Sequence, residues 1–213
     1  IVADELSISI LQEYMGLLLS PMTHFQKILG IVGPRRSGTA TIGRLIRAIK
    51  RMPRVPVVGL TNGTLLGRPD VRRDLAAADI VVPSLDAVPE GLFRRVNRPH
   101  RSLRSDRLIE GLALFRKGFR GRIWLEVMLV KGVNDSPAHI RALKKAVELI
   151  APDRVHLNTV VRPPAEARAK PLSPAAMDKV RRALGPRAEV VASFPERERP
   201  PAAVDLERAI LET

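Results

Sequence analysis

Residues 123–130 read Ile-Trp-Leu-Glu-Val-Met-Leu-Val, and one carboxylate inside that apolar run decides the fold. The run is too short for a core helix and is rich in β-branched and aromatic residues, so it predicts a strand. Nearly continuous apolarity marks a strand covered on both sides, which is the signature of a parallel sheet. Glu126 interrupts that pattern. An unpaired buried carboxylate costs several kcal/mol, so it needs a partner. It either forms an ion pair with an Arg of a neighbouring strand or loop, or it lines a polar cavity. Working toward the C-terminus, Ser136-Pro137 supplies an N-cap and a first-turn proline for a helix carrying Ile140, Leu143 and Val147. Val155 to Val161 is the next strand, with His156 and Asn158 on one face. Ser173-Pro174 then opens a helix with Met177, Val180 and Leu184, closed by Gly185. Glu189 to Ala192 forms the last strand.

Toward the N-terminus the same alternation continues. Ser105 is placed as the N-cap of a helix with Leu108, Leu112 and Phe115. Asp79 to Pro83 reads as a strand, Pro69, Val71, Leu75 and Ala78 as a helix, and Val55 to Leu60 as a strand. Ile42, Leu45, Ile46 and Ile49 mark one further helical face. Strands alternating with helices, without hairpin signals, mean parallel strands joined by crossover helices. An open doubly wound sheet and an arc of a β/α barrel both satisfy that rule. Polar residues favour the arc: Thr61-Asn62, Ser84 with Asp86, Lys131, Asn158 with Arg162, and Ser193 all fall at C-terminal strand ends. That rim carries the chemistry of barrels. The fold class is therefore α/β, a partial (β/α) barrel of parallel strands. His156 taken alone reads as a satisfied core histidine.

The barrel-like unit spans 41–194. Residues 1–40 form an atypical N-terminal segment with poor capping signals and no Arg in the first 34 positions. Pro195 to Pro201 reads as a linker, and Val204 to Thr213 as the start of an amphipathic helix. Both ends read as cuts rather than natural boundaries.

Composition narrows the function classes. The chain has 213 residues, a formal net charge of +14, 45% hydrophobic residues, 3% aromatic residues and no Cys. Without cysteine there are no disulfides, thiolate zinc sites, cysteine nucleophiles or cysteine-bound iron–sulfur clusters. No apolar run is long enough for a membrane-spanning helix. Asp4, Glu5 and Glu13 stand where a signal peptide would be basic, so a cytoplasmic location is expected. The positive charge permits a nucleic-acid partner, but the scarcity of aromatics disfavours a base-stacking platform. Gly33-Pro-Arg-Arg-Ser-Gly38-Thr39 has the glycine spacing of a phosphate-binding loop. Thr39 occupies the place of the essential Lys and Ala40 that of the magnesium-binding hydroxyl, which argues against triphosphate binding. His24, His100, His139 and His156 are isolated and form no metal-ligand pair. Oligomeric state is not encoded in any feature of the sequence.

Five blocks, taken together, resemble a known family: VPVVGLTNGTLL (55–66), DIVVPSLDA (79–87), FRRVNRPH (93–100), LIEGLALFRKGFRGRIWLEVMLVKGVNDS (108–136) and PDRVHLNTVVRPPAE (152–166). Their order and spacing are similar to the C-terminal two-thirds of a radical SAM core, in particular the wyosine-related iron–sulfur oxidoreductase group. The resemblance implies S-adenosylmethionine and a [4Fe–4S] cluster at the strand C-termini, with cleavage of a sulfur–carbon bond to a 5′-deoxyadenosyl radical. By position it places Thr61 and Asn62 toward the methionine moiety and Ser84 and Asp86 toward the ribose hydroxyls. Glu126 would reach a polar group of the cofactor, and Asn158 would lie near the adenine. Relatives that modify tRNA make an RNA partner an expectation. The family's CxxxCxxC loop is absent, as is the G-E-P-T-L motif before the first helix of the unit. Arg35-Arg36-Ser37 is what a Pro-Thr-Leu codon run gives one base out of register, so the first 40 residues are read as missing or frame-shifted. On that reading the chain as written lacks a catalytic group and is an inactive member of a radical enzyme family. The alternative is a cluster-free module that binds a nucleoside or RNA.

Overall fold

The structure is a computed structural model and describes residues 56–161, 166 and 168–192. The elements run β1 (Val58–Thr61), α1 (Pro69–Leu75), β2 (Ile80–Pro83), α2 (Glu90–Asn97), α3 (Ser105–Gly118) and β3 (Arg122–Leu129). Then follow α4 (Pro137–Ile150), β4 (Arg154–Thr159), α5 (Pro174–Leu184) and β5 (Ala188–Val190). All strand pairings are parallel, and the strands stand side by side in the order in which the chain makes them. A doubly wound sheet starts in its middle and reverses direction, so sequential order selects the barrel arc.

Alternation along each strand divides the sheet into two faces. Val81, Ile123, Leu125, Val127, Leu129, Val155 and Leu157 are all buried and point to the helices. Against them pack Leu108, Leu112 and Phe115 of α3, Leu143 and Val147 of α4, and Met177 and Val180 of α5. Helix α3 approaches the β1–α1 loop at Gly111, where a Cβ would stand 2.8 Å from the Gly67 nitrogen. Only glycine permits that approach.

The N-terminal strand ends are tied by aspartates. Asp79 Oδ2 accepts from the Val57 amide at 2.8 Å, and Asp153 Oδ2 accepts from the Ile123 amide at 2.7 Å. In each case the residue opening one strand pins the start of the strand before it. Arg116 completes the second tie with a 2.8 Å ion pair to Asp153.

Two caps follow the expected chemistry. Ser136 and Ser173 accept from the amides of His139 and Ala176, with proline in the first turn. Ser105 departs from expectation, being the first residue inside α3 rather than its cap. Its amide and hydroxyl both donate to Glu90 Oε2, at 2.9 and 3.0 Å, so it ties α3 to α2. Helix α2 itself was not anticipated. It begins after Pro89 with no side-chain cap and seats only Phe93 fully in the core. The expected helix over Ile42 to Ile49, the Gly33–Thr39 loop, Arg162, Ser193 and the linker from Pro195 lie outside the described residues.

Candidate functional site

The second face of the sheet has no helix of the described residues packed on it. Val58, Leu60 and Met128 on this face are exposed. Lateral register brings four polar side chains into one row across it. Ser84 bridges to Glu126, Glu126 pairs with His156, and His156 pairs with Glu189. One step toward the C-terminal ends stands Asn158, the register partner of Met128. One step the other way stand Trp124 and its partner Arg154.

Glu126 is neither exposed nor ion-paired among the described residues. Asn158 Nδ2 donates to its Oε1 at 2.6 Å, and Oε2 has no partner among the described residues. Asn158 thus satisfies one of the two carboxylate oxygens. The structural ion pair weighed for Glu126 in the sequence is not formed among the described residues. Ser84 hydrogen-bonds through its backbone, its amide donating to the Thr61 carbonyl at 3.1 Å, which leaves the hydroxyl available.

Asp86 sits just past β2 and has both carboxylate oxygens engaged. Oδ1 accepts from the Met128 amide and Oδ2 from Asn97 Nδ2, each at 2.9 Å. Burial pushes its carboxyl above the ordinary range, partly offset by the Met128 and Asn97 hydrogen bonds, and the nearby Glu126 charge raises it further. The fully buried Asn134 binds the same loop. Its Nδ2 donates to the Asp86 and Met128 carbonyls, and its Oδ1 accepts from the Val130 amide at 2.7 Å. Asn134 donates no group to the open face, so the Gly-Val-Asn-Asp stretch that contributes to the resemblance here serves to join two rim loops.

Thr61 and Asn62 lie apart from this group. Thr61 pairs with Pro83, which register places on the helix-covered face, and its Oγ1 accepts from the Gly63 amide at 3.1 Å. Asn62 is exposed, and its Oδ1 accepts from both the amide and hydroxyl of Thr64. These contacts form a turn at Gly63, whose φ of 72° suits glycine. Of the six residues singled out in the sequence, Ser84, Glu126 and Asn158 come together on the open face. Asp86 borders them as a loop anchor.

His156 and Glu189 are the additions that the structure makes to this list. His156 Nε2 lies 3.0 Å from Glu189 Oε1, which also receives Arg154 Nη1 at 3.0 Å. The Arg154 guanidinium stands 5.5 Å over the Trp124 ring, and the His156 ring centroid is 5.2 Å from that ring. Trp124 Nε1 and His156 Nε2 are buried nitrogens without an aligned hydrogen bond. Such orphans are rare in finished interiors and are expected where a ligand or water completes the surface. The parity of His156 with Asn158 was legible in the sequence. Its alignment with Glu189 depended on the β4–β5 register.

The same residues bear on which cofactors fit. No group of three or more His, Asp or Glu able to hold a metal ion occurs among the described residues. The chain's 213 residues include no Cys, so none of them offers the thiolates of a four-iron cluster. The cluster does not fit the residues present. The face does offer groups of the kind an adenosyl ligand pairs with: a carboxylate oxygen with no partner among the described residues, a serine hydroxyl and the buried Trp124 Nε1. No helix of the described residues is long and apolar enough to cross a membrane.

Comparison with solved structures places this fold. The chain is similar to a domain of pyruvate-formate lyase-activating enzyme from Bacteroides vulgatus, with a TM-score of 0.55 and 14% identity, covering 76% of this chain and 97% of that one. It is also similar to Streptococcus suis SuiB bound to S-adenosylmethionine, with a TM-score of 0.53 and 15% identity, covering 71% of this chain and 36% of that one. At this identity the likeness is one of fold. No family model matches the chain. Among curated proteins it is 40% identical over 139 residues to the GTPase Obg of Brachyspira hyodysenteriae, a match covering 65% of this chain and 20% of that protein. It is 33% identical over 117 residues to a UPF0026 protein of Methanocaldococcus jannaschii, covering 55% of this chain and 36% of that protein. The chain thus spans well under half the length of these curated relatives. The described residues form a partial parallel β/α barrel of the same fold as these two solved structures.

Proposed function

We propose that this chain is the adenosyl-binding arc of a radical SAM protein, within the wyosine-related group, and that it binds S-adenosylmethionine on the open face of its sheet. The observation that carries this reading is the Glu126–Asn158 pair, a carboxylate held at 2.6 Å by one amide, its second oxygen without a partner among the described residues. A partly buried anion without a cation calls for a ligand that brings hydrogen-bond donors or positive charge. An adenosyl sulfonium brings both. Glu126 and Ser84 would hold its donors, and Asn158 would orient Glu126. When bound with a reduced cluster in the superfamily, this cofactor supplies a radical. The chain as written offers no cluster ligand, so binding rather than turnover is its own share of the chemistry. The GTPase activity named for one relative is not carried over. The sequential sheet, and Thr39 in place of the phosphate-binding Lys, both speak against it.

Titration calorimetry with S-adenosylmethionine tests the reading. Binding to the chain is expected, and Glu126→Gln should weaken it by about tenfold to a hundredfold, the usual worth of a charge-assisted hydrogen bond. Failure of the ligand to bind, or equal binding by Glu126→Gln, contradicts it. Anaerobic reconstitution with iron and sulfide is expected to leave no cluster absorption band.

A second reading, an RNA-binding module that uses no cluster, is favoured by the Arg-rich connection between α2 and α3. Arg101 in this connection and Arg95 in the last turn of α2 are exposed and carry no hydrogen bond or ion pair from their side chains among the described residues. Asn97 and Arg98 bring the start of this connection to the rim, through Asp86 and Glu166. Binding to a tRNA that weakens steeply with salt would support this reading.

A further inference from the structure

The open face changes character along its strands. Toward the C-terminal rim it carries carboxylates, Glu126 within the sheet and Asp86 beside it. Toward the N-terminal ends it carries guanidiniums. Arg122 opens β3 two residues before Trp124, on the same face by parity, and Arg154 is the register partner of Trp124. Their Cα atoms lie about 8 Å apart, one strand spacing across and two residues along, so both side chains can reach one small anion. Arg122 is exposed and carries no hydrogen bond or ion pair from its side chain among the described residues. Arg154 gives Nη1 to Glu189 at 3.0 Å, an exposed pair of little energetic worth, and its guanidinium stands 5.5 Å over the Trp124 ring. Trp124 Nε1, in the same row, is a buried donor without a hydrogen bond. Arg187, just before β5, adds a third guanidinium, its Nη1 held by the Pro152 carbonyl at 3.2 Å. Against these three stands one carboxylate, Glu189. Asp79 and Asp153 at the same end have the opposite parity: Asp79 accepts from the Val57 amide, and Asp153 pairs with Arg116 of α3. Glu126 is held from the rim side by Asn158. Beside Arg122 the face is apolar. One register row runs Val58–Ile80–Arg122, and Leu60 pairs with Val82 in the next. Val58 and Leu60 are 47% and 58% exposed, with no helix of the described residues over them.

We propose that this N-terminal half of the open face is a second ligand site, which takes an organic phosphate monoester. The phosphate lies between Arg122 and Arg154, and an apolar or aromatic body covers Val58, Leu60 and Ile80. Charge selects the anion and places it. Glu126 and Asp86 repel a phosphate from the rim half, and the arginines attract it to the other. Arginine suits a phosphate because its planar fork donates two parallel hydrogen bonds. The four residues from Arg122 to Glu126 span about 13 Å, which keeps the phosphate apart from a group seated at Glu126. The site stands on the N-terminal rows alone and does not depend on what binds at Glu126.

Trp124 is the chain's single tryptophan, so its fluorescence reports on this end of the face. The probes are phenyl phosphate, phenol and inorganic phosphate, each titrated into the full chain and followed by Trp124 emission and by calorimetry. Phenyl phosphate is expected to bind at least about tenfold more tightly than either fragment. Arg122→Gln should weaken it by about tenfold or more. Leu60→Ser should weaken phenyl phosphate and leave inorganic phosphate within about twofold. Arg141→Gln, at an exposed arginine of α4, should change neither, which separates the site from general attraction to a basic chain. Each replaced side chain is exposed, so folding is not at stake. Unchanged binding of phenyl phosphate by Arg122→Gln, or an equal loss in Arg141→Gln, refutes the site. So does either fragment binding as tightly as phenyl phosphate, or no binding of phenyl phosphate by either measurement. If phenyl phosphate behaves as expected and S-adenosylmethionine does not bind, the adenosyl reading falls and this site stands.

Discussion

The two faces of one strand do opposite work in β3. Ile123, Leu125, Val127 and Leu129 are each sealed at 0% exposure under helices α3 and α4, whereas Trp124, Glu126 and Met128 look out on a face over which no helix of the described residues packs. Hydrophobic burial on the first face supplies the stability that lets the second keep a carboxylate with no ion-pair partner among the described residues and the buried Trp124 Nε1 without a hydrogen bond. A shift of register by one residue would exchange the two sets, so the same alternation that fixes the fold also aims the site.

Substitutions on adjacent residues can break this contrast. Leu125→Ala should destabilise the chain by about 2–5 kcal/mol, the range for a fully buried leucine, read by urea denaturation. Its neighbour Glu126→Leu should shift stability by less than about 1 kcal/mol, because a partly exposed carboxylate with no ionic partner has little to lose. It should abolish S-adenosylmethionine binding all the same. Comparable destabilisation by the two would show that the open face is covered as thoroughly as the other.

Acid should sharpen the contrast at its border. His139 of α4 is buried, accepts from the Val88 amide through Nε2 and donates through Nδ1 to the Asn134 carbonyl. Burial holds its imidazole below the ordinary range, more strongly than the Asn134 carbonyl and the Asp86 charge pull it up. The unfolded chain therefore takes up this proton first, and stability should fall as pH drops through the ordinary imidazole range toward the depressed value. His139→Gln should remove that slope. Asp86 slopes the other way at lower pH. Its raised carboxyl favours the folded form in acid, and that contribution is lost as pH rises past the ordinary carboxylate range. The smallest effect is expected at a site remote from both faces. Ser136→Ala removes a cap from the His139 amide and should cost about 1 kcal/mol without changing ligand affinity.

Much of the fold could be read in advance because apolar runs and serine–proline caps are local signals. The five strands, α1, and the starts of α4 and α5 all follow from them. Helix α2 escaped because Pro89 offers no side-chain cap and Phe93 alone is fully seated. Ser105 was misassigned because an N-cap and a first-turn serine look alike until Glu90 is seen across the helix pair. In the site, Glu126 and Asn158 stood out as polar residues inside apolar runs. Their mutual hydrogen bond, and the addition of His156 and Glu189, required strand register, which no local pattern contains. Thr61 and Asn62 looked equivalent to Ser84 as polar strand ends. Parity of pairing turns Thr61 to the helices, and the Gly63 turn takes up the Asn62 side chain.

The order of the strands has a consequence for how such a chain is made. Among the described residues each strand lies against the one synthesised just before it. A nascent chain leaving the ribosome can therefore dock one strand–helix unit at a time onto what has already emerged, with no gap held open for a later segment. The Asp79 and Asp153 ties, each reaching back to the preceding strand, act as the fasteners of that stepwise growth.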